Sequence, residues 1–108
     1  MPKQKRIYTV GQINQYINLI FKEDYLLSGL YMKGEVSNCK YHSSGHIYFS
    51  LKDETGTMSC VMFLGDRSAG LKFRMQDGQS VIVRGSIKVY RNGQCQMYAR
   101  EITQDGTG

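Results

Sequence analysis

One stretch of this chain alternates without a break. In His46-Ile47-Tyr48-Phe49-Ser50-Leu51-Lys52, the side chains of Ile47, Phe49 and Leu51 fall on one face of an extended strand, and those of His46, Tyr48, Ser50 and Lys52 on the other. A strand of this kind covers a core on one side and meets solvent on the other. The outward set mixes rings, a cation and a hydroxyl, which are the components of a stacking surface for nucleic-acid bases.

The same rhythm recurs along the chain. Leu30, Met32, Gly34 and Val36 alternate with Tyr31, Lys33, Glu35 and Ser37, and Gly34 marks a sharp bend. Residues 38–45 read as a polar loop, and Asp53-Glu54-Thr55-Gly56 as a turn. A third strand, 57–63, sends Met58, Cys60 and Met62 one way and Ser59, Val61 and Phe63 the other. After an arrhythmic segment, 65–79, that suits a short helix or turn, residues 80–90 alternate again. Asn92-Gly93 is a strong hairpin signal, and a fifth strand follows over 94–102, with Cys95, Met97 and Ala99 alternating before Ile102. Ahead of all this, Thr9 and Gln12 form a capping-box pair, and Val10, Ile13, Ile17, Ile20 and Phe21 recur at helical spacing. The spacing predicts a helix over 10–23 that packs its stripe against the domain. Five short strands must hide their edges, and closure into a barrel does so. The expectation is a mainly β chain: a five-stranded OB-fold barrel with an N-terminal helix and a short helix or turn between strands three and four. An SH3-like barrel is the nearest competitor, but the long connection between strands three and four disfavours it.

Bulk properties narrow the class. A chain of 108 residues makes one domain and buries enough surface to stand without disulfides. Its three cysteines, Cys39, Cys60 and Cys95, suit a reducing cytoplasm. A formal charge of +5 suits a polyanionic partner. No run reaches the ~20 apolar residues of a membrane span. Residues 1–7 read as a flexible basic N-terminus, 8–103 as the barrel domain, and 104–108 as a linker toward the rest of a longer protein.

The chemistry-bearing residues fall into two groups. Tyr48 and Phe63 offer rings, with His46 and Lys52 beside Tyr48; Arg84, Lys88 and Tyr90 share a face of the fourth strand, and Gln96, Tyr98 and Arg100 a face of the fifth. Lys40, Tyr41 and His42, between strands one and two, and Arg91, between strands four and five, lie in the loops that flank an OB-fold binding face. Cations interleaved with rings neutralise phosphates and hold bases. Cys39, His42 and His46 have a spacing reminiscent of zinc ligands, but a structural site wants a fourth, and alternation places Cys60 and Cys95 inside. No cofactor is expected. HExxH, GxSxG and Walker-type motifs are absent, and adjacent Asp53 and Glu54 read as turn chemistry.

Several segments then converge on one family. Tyr8-Thr9-Val10, Lys33-Gly34-Glu35-Val36-Ser37-Asn38, Ser43-Ser44-Gly45-His46-Ile47-Tyr48-Phe49-Ser50-Leu51-Lys52-Asp53, Cys60-Val61-Met62-Phe63, Asp77-Gly78, Val81-Ile82-Val83-Arg84-Gly85 and Gln96-Met97 resemble, in this order, the N-terminal domain of bacterial exodeoxyribonuclease VII large subunits. The resemblance implies a single-stranded-DNA-binding OB module of a cytoplasmic nuclease. The nuclease chemistry would lie in a following domain, and a small helical subunit would be a partner. The module is also similar to the anticodon-binding domains of class II lysyl- and aspartyl-tRNA synthetases, where a strand-two aromatic stacks on a base; Tyr48, beside Lys52-Asp53, stands at the matching place. An RNA-binding module and a protein–protein docking barrel are the alternative readings.

Overall fold

The computed structural model describes residues 5–89 and 92–105. The elements run α1 (Val10–Glu23), β1 (Leu30–Tyr41), β2 (Ile47–Lys52), β3 (Thr57–Met62), α2 (Leu64–Gly70), β4 (Ser80–Val89) and β5 (Cys95–Gln104). The strands close into a barrel in the order β1-β2-β3-β5-β4, with β4 pairing back onto β1. Every pairing is antiparallel except β3 with β5, which is parallel. The five-stranded barrel, the N-terminal helix and the short helix between β3 and β4 are those expected from the sequence.

Alternation builds the interior. Ile47, Phe49 and Leu51 of β2 are buried, as are Val81, Val83 and Ile87 of β4 and Met97, Ala99 and Ile102 of β5. Val36, Cys60, Met62 and Met75 complete one continuous cluster. Truncating a fully buried Met97 or Ile102 to alanine removes transfer energy and leaves a cavity, a loss of about 2–5 kcal/mol.

Two bulges break the alternation. Between Ser37 and Lys40 the register of β1 against β2 slips, with Asn38 at φ 51. Asparagine tolerates this left-handed conformation better than most residues. The extra residue exchanges the faces, so Tyr41 turns toward the core and Lys40 outward. What read as a loop from residue 38 is therefore strand as far as Tyr41. The second bulge lies in β5: Arg84 pairs with Glu101 but Gly85 with Ala99, which leaves Arg100 as the extra residue.

The helix departs from expectation in another way. Its capping box is formed, with Gln12 N–H donating to Thr9 Oγ1 at 3.1 Å and Thr9 N–H to Gln12 Oε1 at 2.9 Å. Its apolar stripe is only partly covered. Phe21 packs on the core and Ile17 is half-buried, but Val10, Ile13 and Ile20 are exposed. The barrel satisfies its own interior and leaves the helix no open apolar face. Instead Asn18 docks it: the amide Nδ2 donates to the Val89 carbonyl at 2.9 Å and Oδ1 accepts from Val89 N–H at 2.7 Å.

The turn after β2 is held by Asp53, whose Oδ1 accepts from Thr55 N–H, Gly56 N–H and Thr55 Oγ1. The Thr55 amide, followed by the Gly56 amide and the Thr55 hydroxyl, keeps its carboxyl below the ordinary carboxylate range. At the far end, β5 runs through Gln104, and Asp105 is tied to Lys33 at 3.1 Å and to the Ser80 carbonyl at 2.9 Å. Both residues thus belong to the barrel.

Gly85 sits where the bulge brings backbones together, and a Cβ there would lie 2.1 Å from the Tyr98 carbonyl oxygen. Gly85→Ala should therefore lower the denaturant midpoint by the equivalent of about 3 kcal/mol. Gly56→Ala, with nothing within 4 Å of its would-be Cβ, should stay within about 0.5 kcal/mol of the parent in the same titration.

Candidate nucleic-acid interface

Register places the outward rings in one row. Tyr48 of β2 pairs with Val61 of β3, and Val61 pairs with Tyr98 of β5. Lys40 of β1 continues the row beyond Tyr48, and Ser86 of β4 continues it beyond Tyr98. Tyr48 and Tyr98 stand two strands apart, roughly 10 Å. Between them Val61 is 2% exposed despite facing outward, and forms an apolar floor. Phe63, Gln94 and Cys95 add to the lining of this groove, whose volume is ≈ 420 Å³. The next row along the barrel is polar: Ser50, Ser59, Gln96 and Lys88 are paired in succession across β2, β3, β5 and β4.

Edge-to-face contacts hold the rings. His42 meets Tyr48 with centroids 5.9 Å apart, His46 meets Phe63 at 5.0 Å, and Phe63 meets Tyr98 at 5.4 Å. Lys88 Nζ lies 4.9 Å from the Tyr98 centroid. Phe63 is not on β3 but caps α2, and its side chain makes no cap bond. His46 supplies one instead: its Nδ1 accepts from Leu64 N–H at 3.0 Å, so Nδ1 carries no hydrogen. His46 thereby orients Phe63 and the start of α2 together.

The structure thus gathers His42, His46, Tyr48, Phe63, Lys88 and Tyr98 around one groove, with Lys40 beside it. It disperses the other candidates. Lys52 is ion-paired with Glu35 at 3.5 Å. Arg84 is paired with Glu101 at 3.6 Å and lines, with Tyr31 and Arg100, a separate depression. Arg100, the bulged residue, is exposed and lines that depression rather than the groove. Tyr41 is strand rather than loop, and its hydroxyl accepts from Met75 N–H at 2.8 Å. Tyr90 and Arg91 lie outside the described residues.

The lining residues Ser59, Val61, Gln94 and Cys95 were not singled out from the sequence as binding candidates. The parity of strand three puts Ser59 and Val61 on the outer face with Phe63, but neither carries a ring or a charge. Cys95, expected inside, is exposed. It pairs with Val89 at the barrel mouth, one residue before β5 meets β3, where the described residues leave it uncovered. Among the described residues no three His, Cys, Asp or Glu side chains are grouped to hold a metal. His42 and His46 instead contact different rings.

The thiols differ by environment. Burial pushes the Cys60 thiol up to about 12. Burial, then the nearby Asp77 carboxylate, raises Cys39, with Arg74 opposing. An aromatic disulfide reagent at pH 8 should label Cys95 first, Cys39 slowly, and Cys60 only on unfolding, as read by mass spectrometry of digests. Rapid native labelling of Cys60 would contradict the burial described.

Comparison with known proteins locates this arrangement. The family model described as OB-fold nucleic acid binding domain matches residues 8–103. The exodeoxyribonuclease 7 large subunit of Lachnoclostridium phytofermentans is 62% identical over 105 residues, which are 96% of this chain and 26% of that protein. The chain spans about a quarter of the length of the curated relatives it matches. Among solved structures, a replication protein A heterotrimer bound to single-stranded DNA aligns with TM-score 0.59 at 19% identity, over 73% of this chain and 58% of that one. Asparaginyl-tRNA synthetase of Pyrococcus horikoshii aligns with TM-score 0.57 at 17% identity, over 70% and 19%. These two likenesses are of fold. Among the described residues no helix is long and apolar enough to cross a membrane.

Proposed function

The chain belongs to the OB-fold nucleic acid binding domain family, and on that premise we propose that it holds single-stranded DNA along the Tyr48–Val61–Tyr98 row. The row itself carries the reading. Two outward rings flank an apolar floor; Lys40 stands beside Tyr48 at one end, and Lys88 reaches over Tyr98 from the adjoining row. Rings accept the faces of unstacked bases, each worth about 1–3 kcal/mol, whatever the base. A duplex hides those faces. Lys40 and Lys88 are placed to neutralise phosphates on either side, and the Ser50–Ser59–Gln96 row offers hydrogen bonds to base edges or sugars.

The identity with exodeoxyribonuclease 7 large subunits supports a larger setting. In this proposal the barrel is the DNA-holding part of such a subunit. It keeps a strand engaged for a nuclease domain carried elsewhere in the protein, in a cytoplasmic assembly with the small subunit. His46 acts in it as a positioning residue, through Phe63 and α2.

Tyr48→Ala and Tyr98→Ala should each weaken binding of a 16-nucleotide oligothymidylate by about 1–3 kcal/mol, roughly 5- to 150-fold, with the circular dichroism spectrum unchanged. Fluorescence anisotropy at fixed salt measures it. Parent-like affinity in both variants, or equal affinity for duplex, would remove the stacking platform. Tighter binding of the matching RNA would redirect the proposal to RNA.

A further inference from the structure

Among the described residues, a group of three cations without ion-paired carboxylates lies away from the groove. That group lies past α2, in a cleft lined by Tyr41, Leu64, Arg67, Lys72, Phe73 and Arg74. Two guanidiniums share one ring there, with Arg67 Cζ 5.2 Å and Arg74 Cζ 4.2 Å from the Tyr41 centroid. Two like charges at one ring repel, and an anion between them relieves the repulsion. No carboxylate among the described residues is ion-paired with these cations. The ion pairs among the described residues are Lys33–Asp105, Lys52–Glu35 and Arg84–Glu101, and none involves this cleft. Asp77, the nearby carboxylate, instead accepts from Cys39 N–H at 2.9 Å.

The cleft is also built. Tyr41 is held by its hydroxyl bond from Met75 N–H. Arg67 is half-buried and donates from Nη1 to the Gly45 carbonyl at 2.9 Å, which ties α2 to the turn between β1 and β2. Lys72 Nζ donates to the Ser68 carbonyl at 2.7 Å. Arg74 makes no side-chain hydrogen bond or ion pair with another described residue, so its planar donor fork is open, the geometry that suits bidentate contact with phosphate oxygens. The cleft also continues from the aromatic groove: Phe63 lines one, and the next residue, Leu64, lines the other.

We propose that the cleft between Arg67, Lys72 and Arg74 is a second, phosphate-binding site, which takes the sugar-phosphate backbone of the strand as it leaves the aromatic groove around the Phe63–Leu64 corner. This rests on the single-strand reading above and extends it: the groove takes bases, the cleft takes backbone. A strand too short to turn the corner engages only the groove.

The test compares oligothymidylates of 4 and 16 nucleotides on the 108-residue chain and on Lys72→Gln/Arg74→Gln, with affinity followed across salt concentrations. For the 16-mer, the slope of log K against log salt should shrink by roughly 1.4 in the double variant, at about 0.7 per lost phosphate contact. The 4-mer should bind both proteins with the same slope. Arg74→Gln alone, a lighter change at an exposed side chain, should remove half that amount and serves if the double variant misfolds. A parent-like slope on the 16-mer, or an equal loss on both lengths, would overturn the proposal. Tyr48→Ala separates the two readings. If it costs affinity on both lengths while the cleft variants change nothing, the groove stands and the cleft falls. If it changes nothing while the cleft variants flatten the 16-mer slope, the backbone site stands and the stacking platform falls.

Discussion

Three residue pairs, Ser59 with Gln96, Cys60 with Met97 and Val61 with Tyr98, join β3 to β5 in parallel and close the sheet. The rest of the molecule depends on this short seam. It seals the interior around Met97, Cys60 and Met62, and it removes the edges that five short strands would otherwise expose. It also puts Tyr98 in line with Tyr48. Without the seam the two rings would sit on separate strands with no groove between them, and Val61 would have only one ring beside it instead of two.

Closure has a cost elsewhere that the structure makes visible. A barrel that covers its own core offers no apolar sheet face to a helix, so α1 is fastened mainly by a polar clasp. Asn18 exchanges two hydrogen bonds with the Val89 backbone, and Phe21 packs against the core. Asparagine in mid-helix is a poor helix former. Its presence there makes sense as a docking group for the end of a strand. Much of the helix's apolar stripe remains in solvent as a result.

Charge is distributed in a way that composition conceals. The net charge of +5 says only that cations exceed carboxylates. The fold decides which of them are available. Lys33, Lys52 and Arg84 are matched to Asp105, Glu35 and Glu101. Exposed pairs of this sort add little stability, between about 0 and 1 kcal/mol each, but they dull the field around the cations they hold. Lys88, over Tyr98, and the arginines at Tyr41 have rings rather than carboxylates beside them. Part of the positive charge that is free of ion pairs among the described residues therefore stands next to aromatic surface, along the groove and around the corner past α2.

Local pattern was enough to read the elements and their faces wherever the period of two ran unbroken. The burial of Ile47, Phe49 and Leu51, the outward Tyr48, the helix start at Val10 and the turn at Asp53 all follow from residues a few positions apart, because strand and helix periods are local geometry. The pattern failed at the two bulges. One inserted residue reverses every later side chain, which is why Tyr41 turns inward beyond the first bulge and Ile102, rather than Glu101, is buried beyond the second. The parallel seam, the ion pairing of Lys52 and Arg84, the exposure of Cys95 and the meeting of Arg67 and Arg74 at one ring were decided only by tertiary structure. Each joins residues far apart in the chain, and such meetings are set by which strands close on which, a matter that no local periodicity encodes.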